Sequence, residues 1–402
     1  MSAALLPHEA EVFPKVERSV RRVCLVTEAA GGGVGRHFLD LAAGLAKRHI
    51  EVVAIYSPTR CDAQFNQRKS QLQDVHFVPL PLRRSVQPGD LLDLWKLIDC
   101  IRTQGPFDVI HGHSSKGGAL ARLAGWHLRT PTLYTPHAFV TLDPKLSSLK
   151  RVIFGRIERW LGIFAAAVIA VSPDEAEHAQ QLGIESSRIR MIPNGILQPD
   201  FPPREVARGN LGLATADFAI GFVGRLVSQK APDILLKAFA ALATRLPNLK
   251  LVIVGSGPLE GALRRRVDVA GLGSRVLFTG DIIATQVMPA FDLFCLSSRY
   301  EGMTYVLLEA LAAGLPIVAT RVGGVTLCVE DQVNGLIVAP DDAQALAAAV
   351  GRLIMDRDCL RQYANVSAER SGGFTADRMV AATLELYEGC VSRWSVVRQP
   401  GV

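Results

Sequence analysis

The chain has 402 residues, 49% of them apolar and 20% charged, with no bias toward disorder, collagen or coiled coil, and this length asks for two domains rather than one. A net charge of +6, placed as +5 over residues 1–200 and +1 over the rest, is too modest for a dedicated nucleic-acid binder and suits an anionic small ligand or a lipid surface. The longest uncharged apolar run, Leu161–Val171, is about half the ~20 residues of a membrane-spanning helix, the N-terminus has acidic residues where a signal sequence would be apolar, and the seven cysteines form no CxxC pair, so the expectation is a cytoplasmic protein with reduced core thiols.

Short β-branched runs alternate with helical patterns along the whole chain, the pattern of parallel sheets covered by helices. In the first half the strands are expected at Val23–Thr27, Glu51–Tyr56, Val75–Val78, Phe107–His111, Thr132–Thr135, Val168–Val171 and Ile189–Ile192. The segment Pro193–Pro203, with four prolines, is expected to run extended over the surface as a linker. A second set follows at Ala219–Val223, Leu251–Val254, Val276–Thr279, Leu293–Leu296, Pro316–Ala319 and Gly335–Val338. The fold class is therefore α/β, with two doubly wound Rossmann-like domains, residues 1–200 and 201–375, facing across a cleft, and a terminal segment 376–402. Ligands of open α/β sheets bind at the carboxyl ends of the strands, so chemistry belongs in the strand-end loops.

Three such loops stand out. The first strand runs into Gly31-Gly-Gly-Val-Gly35 before a helical pattern starting at Arg36, where glycines let a phosphate approach backbone amides. A dinucleotide fingerprint is incomplete, because Arg36 or Phe38 stands where its last glycine belongs and no acidic residue ends the second strand. In the second half, Gly221–Lys230 puts Arg225 and Lys230 before a helix expected over Pro232–Leu246; two cations there could hold a diphosphate or simply be solvated. The third loop, Ser297–Leu311, has Thr304 as a helix N-cap, Glu301 at the helix mouth and Glu309 about 7 Å further along the helix. The carboxylates could grip a sugar and a ribose; alternatively Glu301 complements the helix dipole and Glu309 is exposed.

Together, the E-x7-E pair within EGMTYVLLEALAAGLPIVAT, VGRLVSQK, IVGSGPLE, the GGGVG loop and VSP…IPNG make the chain resemble the retaining glycosyltransferases of family 4, which have the GT-B fold. The match runs from Arg21 to about Trp394. The resemblance implies that Arg225 and Lys230, beside Gly224, hold the diphosphate of a nucleotide-sugar donor. Glu301 and the amides of Gly302, Met303 and Thr304 would hold the donor sugar, and Glu309 the ribose. Gly32 and Gly33 would lie near the donor phosphate, and Phe278, Asp281 and Ile282 near the base. His137, in Tyr134–Phe139, would reach the sugar near the reacting carbon. Gly35, His113 and His137 are the acceptor-side candidates. Where family members often have Phe-Gly or Met-Pro-Asn this chain has Met303-Thr304-Tyr305, and Ala138 replaces a common glycine.

The resemblance further implies metal-independent transfer with retained configuration, a UDP-sugar being the favoured donor, and no cofactor. The acceptor would be a glycan or a lipid-linked sugar bound by the first domain, as in cell-surface polysaccharide or glycolipid synthesis. His111 and His113 share a strand face but show no third metal ligand, and Asp356-Arg-Asp358 is expected to be solvated surface. Leu146–Leu161 is amphipathic, with Lys150, Arg151, Arg156 and Arg159 beside an apolar stripe including Phe154 and Trp160. It suits either an anionic membrane surface or core packing with a solvated basic face. The last helical pattern, Thr375–Gly389, would pack back on the first domain. Two rival readings are a catalytically idle nucleotide-sugar binder and an NAD-dependent oxidoreductase.

Overall fold

The computed structural model describes residues 20–397 apart from 84–86 and 88. In the amino-terminal half, seven strands form one parallel sheet: β1 Arg22–Thr27, β2 Glu51–Tyr56, β3 Val75–Pro79, β4 Val109–His113, β5 Thr132–Thr135, β6 Ala167–Ala170 and β7 Ile189–Met191. Their spatial order is β3-β2-β1-β4-β5-β6-β7. In the other half, β8 Phe218–Val223, β9 Leu249–Val254, β10 Val276–Gly280, β11 Leu293–Leu296, β12 Ile317–Thr320 and β13 Gly335–Val338 form a second parallel sheet, ordered β10-β9-β8-β11-β12-β13. Each sheet reverses its winding once, between β1 and β4 and between β8 and β11, and such a switch point opens a crevice at the strand ends. Runs such as Val23–Val26 and Leu251–Val254 are apolar on both faces because helices cover both sides of the sheets.

The strands lie where the pattern places them, to within one or two residues. β4 begins two residues later than expected; just before it the Asp108 carboxylate accepts the amides of Arg21 and Arg22 while the Asp108 amide donates to the Arg22 carbonyl. The strand continues through Gly112 to His113. The glycine segment is a helix start rather than a loop: the helix spans Gly32–Ala46, with Gly31 as its N-cap and Gly32 at φ 59°. The helix after Lys230 ends at Ala243, short of Leu246.

Two chain crossings join the halves. The segment after β7 is extended, but Asn194–Ile196 is buried rather than superficial. Ile196 pairs with the returning chain through its own amide to Phe374 and through the Ala376 amide, both at 2.9 Å. A Cβ on Gly195 would stand 2.1 Å from the Thr375 carbonyl oxygen, so only glycine fits this crossing. The returning chain forms the helix Ala376–Val397, whose Met379, Val380, Tyr387 and Cys390 enter the core of the amino-terminal sheet. Burial of side chains such as Met379 and Val380 is worth about 1.5–3 kcal/mol each. Gly44 lets the two helices touch, since a Cβ there would lie 2.4 Å from Val380.

The helix Ser148–Gly162 buries only Glu158, Leu161 and Gly162. Its apolar stripe faces outward: Leu149, Val152, Ile153, Ile157 and Trp160 are exposed, with Ile163 just beyond. Core packing with a solvated basic face, the alternative open from sequence, is not what this helix does. All seven cysteines are unpaired, and Asp356 is the N-cap of Arg357–Ser371, accepting from the Cys359 amide. No helix of the described residues is long and apolar enough to cross a membrane.

Candidate active site

The loops after β8 and β11 are locked to each other. Ser297 Oγ donates to the carbonyls of Lys230 and Ala231, both at 3.0 Å, the Arg299 amide donates to the Gln229 carbonyl, and Gln229 Nε2 to that of Tyr300. Within this frame Lys230 Nζ donates to Glu301 Oε1 at 2.5 Å, and Ser298 Oγ donates to the same oxygen at 2.7 Å. Arg225 is exposed and has no ion pair among the described residues. Gly224 takes φ 156°, with the Lys230 stem in van der Waals range of where a Cβ would be. An ammonium, a free guanidinium and a carboxylate thus stand at the switch point of the second sheet.

Thr304 caps the helix Tyr305–Ala312 through its backbone position, without a side-chain bond. The first-turn amides of a helix have no intrahelical partners and favour an anion. Met303 is buried and Gly302 lies so close to Ala138 that a Cβ would stand 2.9 Å from its amide nitrogen. The loop of Glu301–Thr304 in one half therefore meets the His137 loop of the other. Gly323 and Gly324 back it, each with a Cβ position within 2.5 Å of the Glu301 or Gly302 carbonyl, and the Gly324 amide donates to Asp174 at 3.1 Å.

Glu309 is buried, not exposed, and it is paired across the cleft with Arg36, which also stacks 5.0 Å over the Tyr305 ring and lies beside Asp40. Arg36 sits in the first helical turns next to Gly32 and Gly33. The Gly32 amide is taken by Asp62 at 2.7 Å, and a Cβ on Gly33 would lie 3.6 Å from the Tyr305 ring. Gly35 is buried against Ala30 and Phe65, where a Cβ would be 2.8 Å from the Ala30 carbonyl, so its task is a close packing approach and it offers no surface to an acceptor. Around the base candidates, Phe278 is stacked under Arg264 at 4.5 Å, Asp281 is bonded to Ser256, and Ile282 is exposed.

On the amino-terminal side four histidines line the floor. His111 uses both ring nitrogens, on Tyr387 at 2.6 Å and Thr135 at 2.8 Å. Nδ1 of His113 is 3.2 Å from Nε2 of His137, and His37 bonds Asn194 at 3.0 Å. Burial, and then the nearness of the other rings, keeps His111, His113 and His137 well below the ordinary histidine range. Burial brings His37 down to about 4, against the Asn194 bond that raises it. The rings are neutral at pH 7. His137 and Ala138 both have positive φ, 55° and 81°, which explains why a glycine is common at the second position. The Ala138 amide is held by the buried Glu175 carboxylate at 2.6 Å.

Arg36, His37, Asp174 and Glu175 carry no motif of their own and are found by folding alone, as is the part taken by Asn194, which lies in the IPNG motif. Two Rossmann-type units with switch points facing one cleft, cations after the first strand of the second unit and the two carboxylates bracketing a helix mouth define a glycosyltransferase of the GT-B class. Comparison with known proteins agrees: the glycosyl transferase 4-like domain matches residues 32–195 and the glycosyl transferases group 1 domain matches residues 217–356. The chain is 31% identical to the D-inositol 3-phosphate glycosyltransferase of Nocardia farcinica over 71% of this chain and 67% of that one. It is 30% identical to its namesake from Acidothermus cellulolyticus, over 80% and 78%. It is 29% identical to the UDP-Gal:alpha-D-GlcNAc-diphosphoundecaprenol alpha-1,3-galactosyltransferase of Escherichia coli, over 77% and 82%. Among solved structures, Anabaena HepE in complex with UDP and glucose superposes with a TM-score of 0.79 over 92% of this chain and all of that one, at 24% identity. The chain belongs to glycosyltransferase family 4.

Proposed function

We propose that this enzyme transfers a sugar from a UDP-sugar to a hydroxyl of a lipid-linked or free glycan, with retention of configuration and without a metal. The observation that carries the reading is the Lys230–Glu301–Ser298 cluster at the second switch point, beside the free Arg225. Solved relatives of the same fold include complexes with UDP and with UDP-glucose, and the Escherichia coli relative is named for a UDP-sugar and a diphosphoundecaprenol acceptor.

On this reading residues 201–375 bind the donor and residues 1–200 the acceptor, and the helix of residues 376–397 couples the two. Arriving donor replaces the Lys230–Glu301 pair: the diphosphate goes to Lys230 and Arg225, the sugar hydroxyls to Glu301 and the amides of Gly302–Thr304, the ribose to Glu309. As the glycosidic bond breaks, charge grows on the departing phosphate, where two cations and a helix N-terminus stabilise it. The acceptor hydroxyl attacks the same face of the oxocarbenium-like carbon and gives its proton to that phosphate, so no carboxylate nucleophile is needed. His137, neutral and fixed in orientation, positions the sugar. The outward apolar stripe of residues 148–163, flanked by Lys150, Arg151, Arg156 and Arg159, brings the enzyme to the anionic cytoplasmic face of a membrane that carries the acceptor.

The test joins binding and chemistry. UDP and UDP-sugars should raise the melting temperature more than GDP, ADP or their sugars do, by the linkage of ligand binding to stability. Lys230→Ala should lower transfer by at least ~100-fold while the protein stays folded. A stronger shift with GDP or ADP would move the donor to another base, and near-normal turnover in the variant would overturn the site.

A further inference from the structure

Three histidines from separate segments converge at the cleft floor: His37 in the helix Gly32–Ala46, His113 at the end of β4, and His137 in the loop after β5. One ring nitrogen of each lies within 4.8 Å of those of the other two. His111 and His113 alone lack a third ligand, and folding supplies His37. His111 is not part of the set, because both its nitrogens are engaged.

A neighbouring bond prepares the His37 ring as a ligand. Asn194 Nδ2 donates to the Met303 carbonyl at 2.9 Å, so its Oδ1 is the acceptor facing His37, which must carry its proton on Nδ1 and a lone pair on Nε2. His113 is fully buried and its Nε2 has no partner, leaving the Nδ1 contact with His137 as the ring's only hydrogen bond among the described residues. That 3.2 Å separation is close to the roughly 3.3 Å between two nitrogens on a tetrahedral zinc with bonds of about 2.0–2.1 Å. His137 is partly exposed, which opens the cluster to ions from the cleft. Three imidazoles without a carboxylate suit a borderline cation such as zinc, nickel or cobalt, and not magnesium or calcium.

We infer that His37, His113 and His137 form an inhibitory zinc site, in which the cation binds the three rings and takes up the His137 nitrogen that would otherwise meet the donor sugar. The metal joins the rings as a coordination complex, with water as the fourth ligand, and no group is oxidised or transferred. Binding stands on the three rings alone. Inhibition rests in addition on the proposed contact of His137 with the donor, and the experiment reads the two separately.

Tag-free, chelator-treated protein is titrated with zinc chloride in a calorimeter, and with cobalt chloride while the visible spectrum is recorded. One zinc per chain is expected with a Kd of about 10 µM or tighter, strong tetrahedral cobalt bands that zinc abolishes, and no uptake of magnesium. His37→Gln, checked for folding, should weaken zinc by at least ~10-fold. Absence of uptake, a weak octahedral cobalt spectrum, or undiminished zinc binding by the folded variant overturns the site, and the spectrum of the unmodified protein decides if the variant does not fold. In the transfer assay zinc should raise the apparent KM for the donor; zinc bound with this signature but without effect on transfer overturns the inhibitory role.

Discussion

His137 and Ala138 form a consecutive left-handed pair without glycine, a conformation that costs on the order of 1–3 kcal/mol per residue and needs its surroundings to hold it. Glu175 does the holding. One of its oxygens accepts the Ala138 amide at 2.6 Å and the other the Val171 amide at 2.8 Å, tying the loop after β5 to the end of β6. Burial raises this carboxyl to about 7, against the two amide bonds that lower it. Above that pH both oxygens accept. Below it one oxygen carries a proton and faces an amide N–H, so a bond is lost and the His137 turn loosens. Transfer should therefore fall as pH drops through about 7. Glu175→Gln fixes the one-acceptor state: it should cost roughly 10- to 100-fold in transfer at pH 8 and flatten the acid limb of the pH profile. An unchanged acid limb in a folded Glu175→Gln protein would show that the turn is held without this group.

At the scale of elements, the strands were legible because a helix-covered parallel sheet demands continuous β-branched runs, and the loops because glycine, cations and carboxylates must sit at strand ends to meet a phosphorylated ligand. Lys230 and Glu301 could be assigned in advance to one donor site by their separate motifs, though not to each other. Arg36 against Glu309, and His37 beside His137, could not, since each pairing joins segments whose approach depends on how the two sheets face each other. The burial of Asn194 was hidden for the same reason: four prolines read as a surface linker, whereas its side chain bonds one half through His37 and the other through Met303. The outward turn of the stripe on Ser148–Gly162 was open from sequence, because periodicity gives a helix an apolar face without saying what covers it. With that face exposed, the protein should sediment with anionic liposomes at low salt and lose this on addition of salt or in Ile153→Glu/Trp160→Glu. The double variant should keep its nucleotide-induced melting shift, since neither residue belongs to the donor loops. Absence of sedimentation by the unaltered protein would separate this helix from any membrane role.

Over the whole molecule, the ties between the halves include Arg36 to Glu309, Asn194 to Met303, Asp174 to Gly324 and Lys145 to Ser228, while the chain crosses between them at the paired segments of Ile196 and Thr375. Of these ties the Arg36 ion pair is the one that a bound donor must undo, because Glu309 is the proposed ribose ligand. The pair is largely shielded, with Glu309 9% and Arg36 25% exposed, so breaking it costs more than a surface pair of about 0–1 kcal/mol would. Burial works against the Arg36 charge, and Glu309 and Asp40 more than restore it, raising its pKa. In Arg36→Met the cleft should open more freely, seen as a larger radius of gyration by small-angle scattering. Glu309 is then left for the ribose alone, so the Kd for the nucleotide should fall by about 3- to 10-fold. Glu309→Gln weakens the same pair but also the ribose contact, and should raise that Kd instead. If Arg36→Met weakens nucleotide binding as Glu309→Gln does, Arg36 is a donor ligand rather than a latch, and the donor-free cleft is held shut by the other cross-cleft bonds, those of Asn194, Asp174 and Lys145 to Ser228 among them.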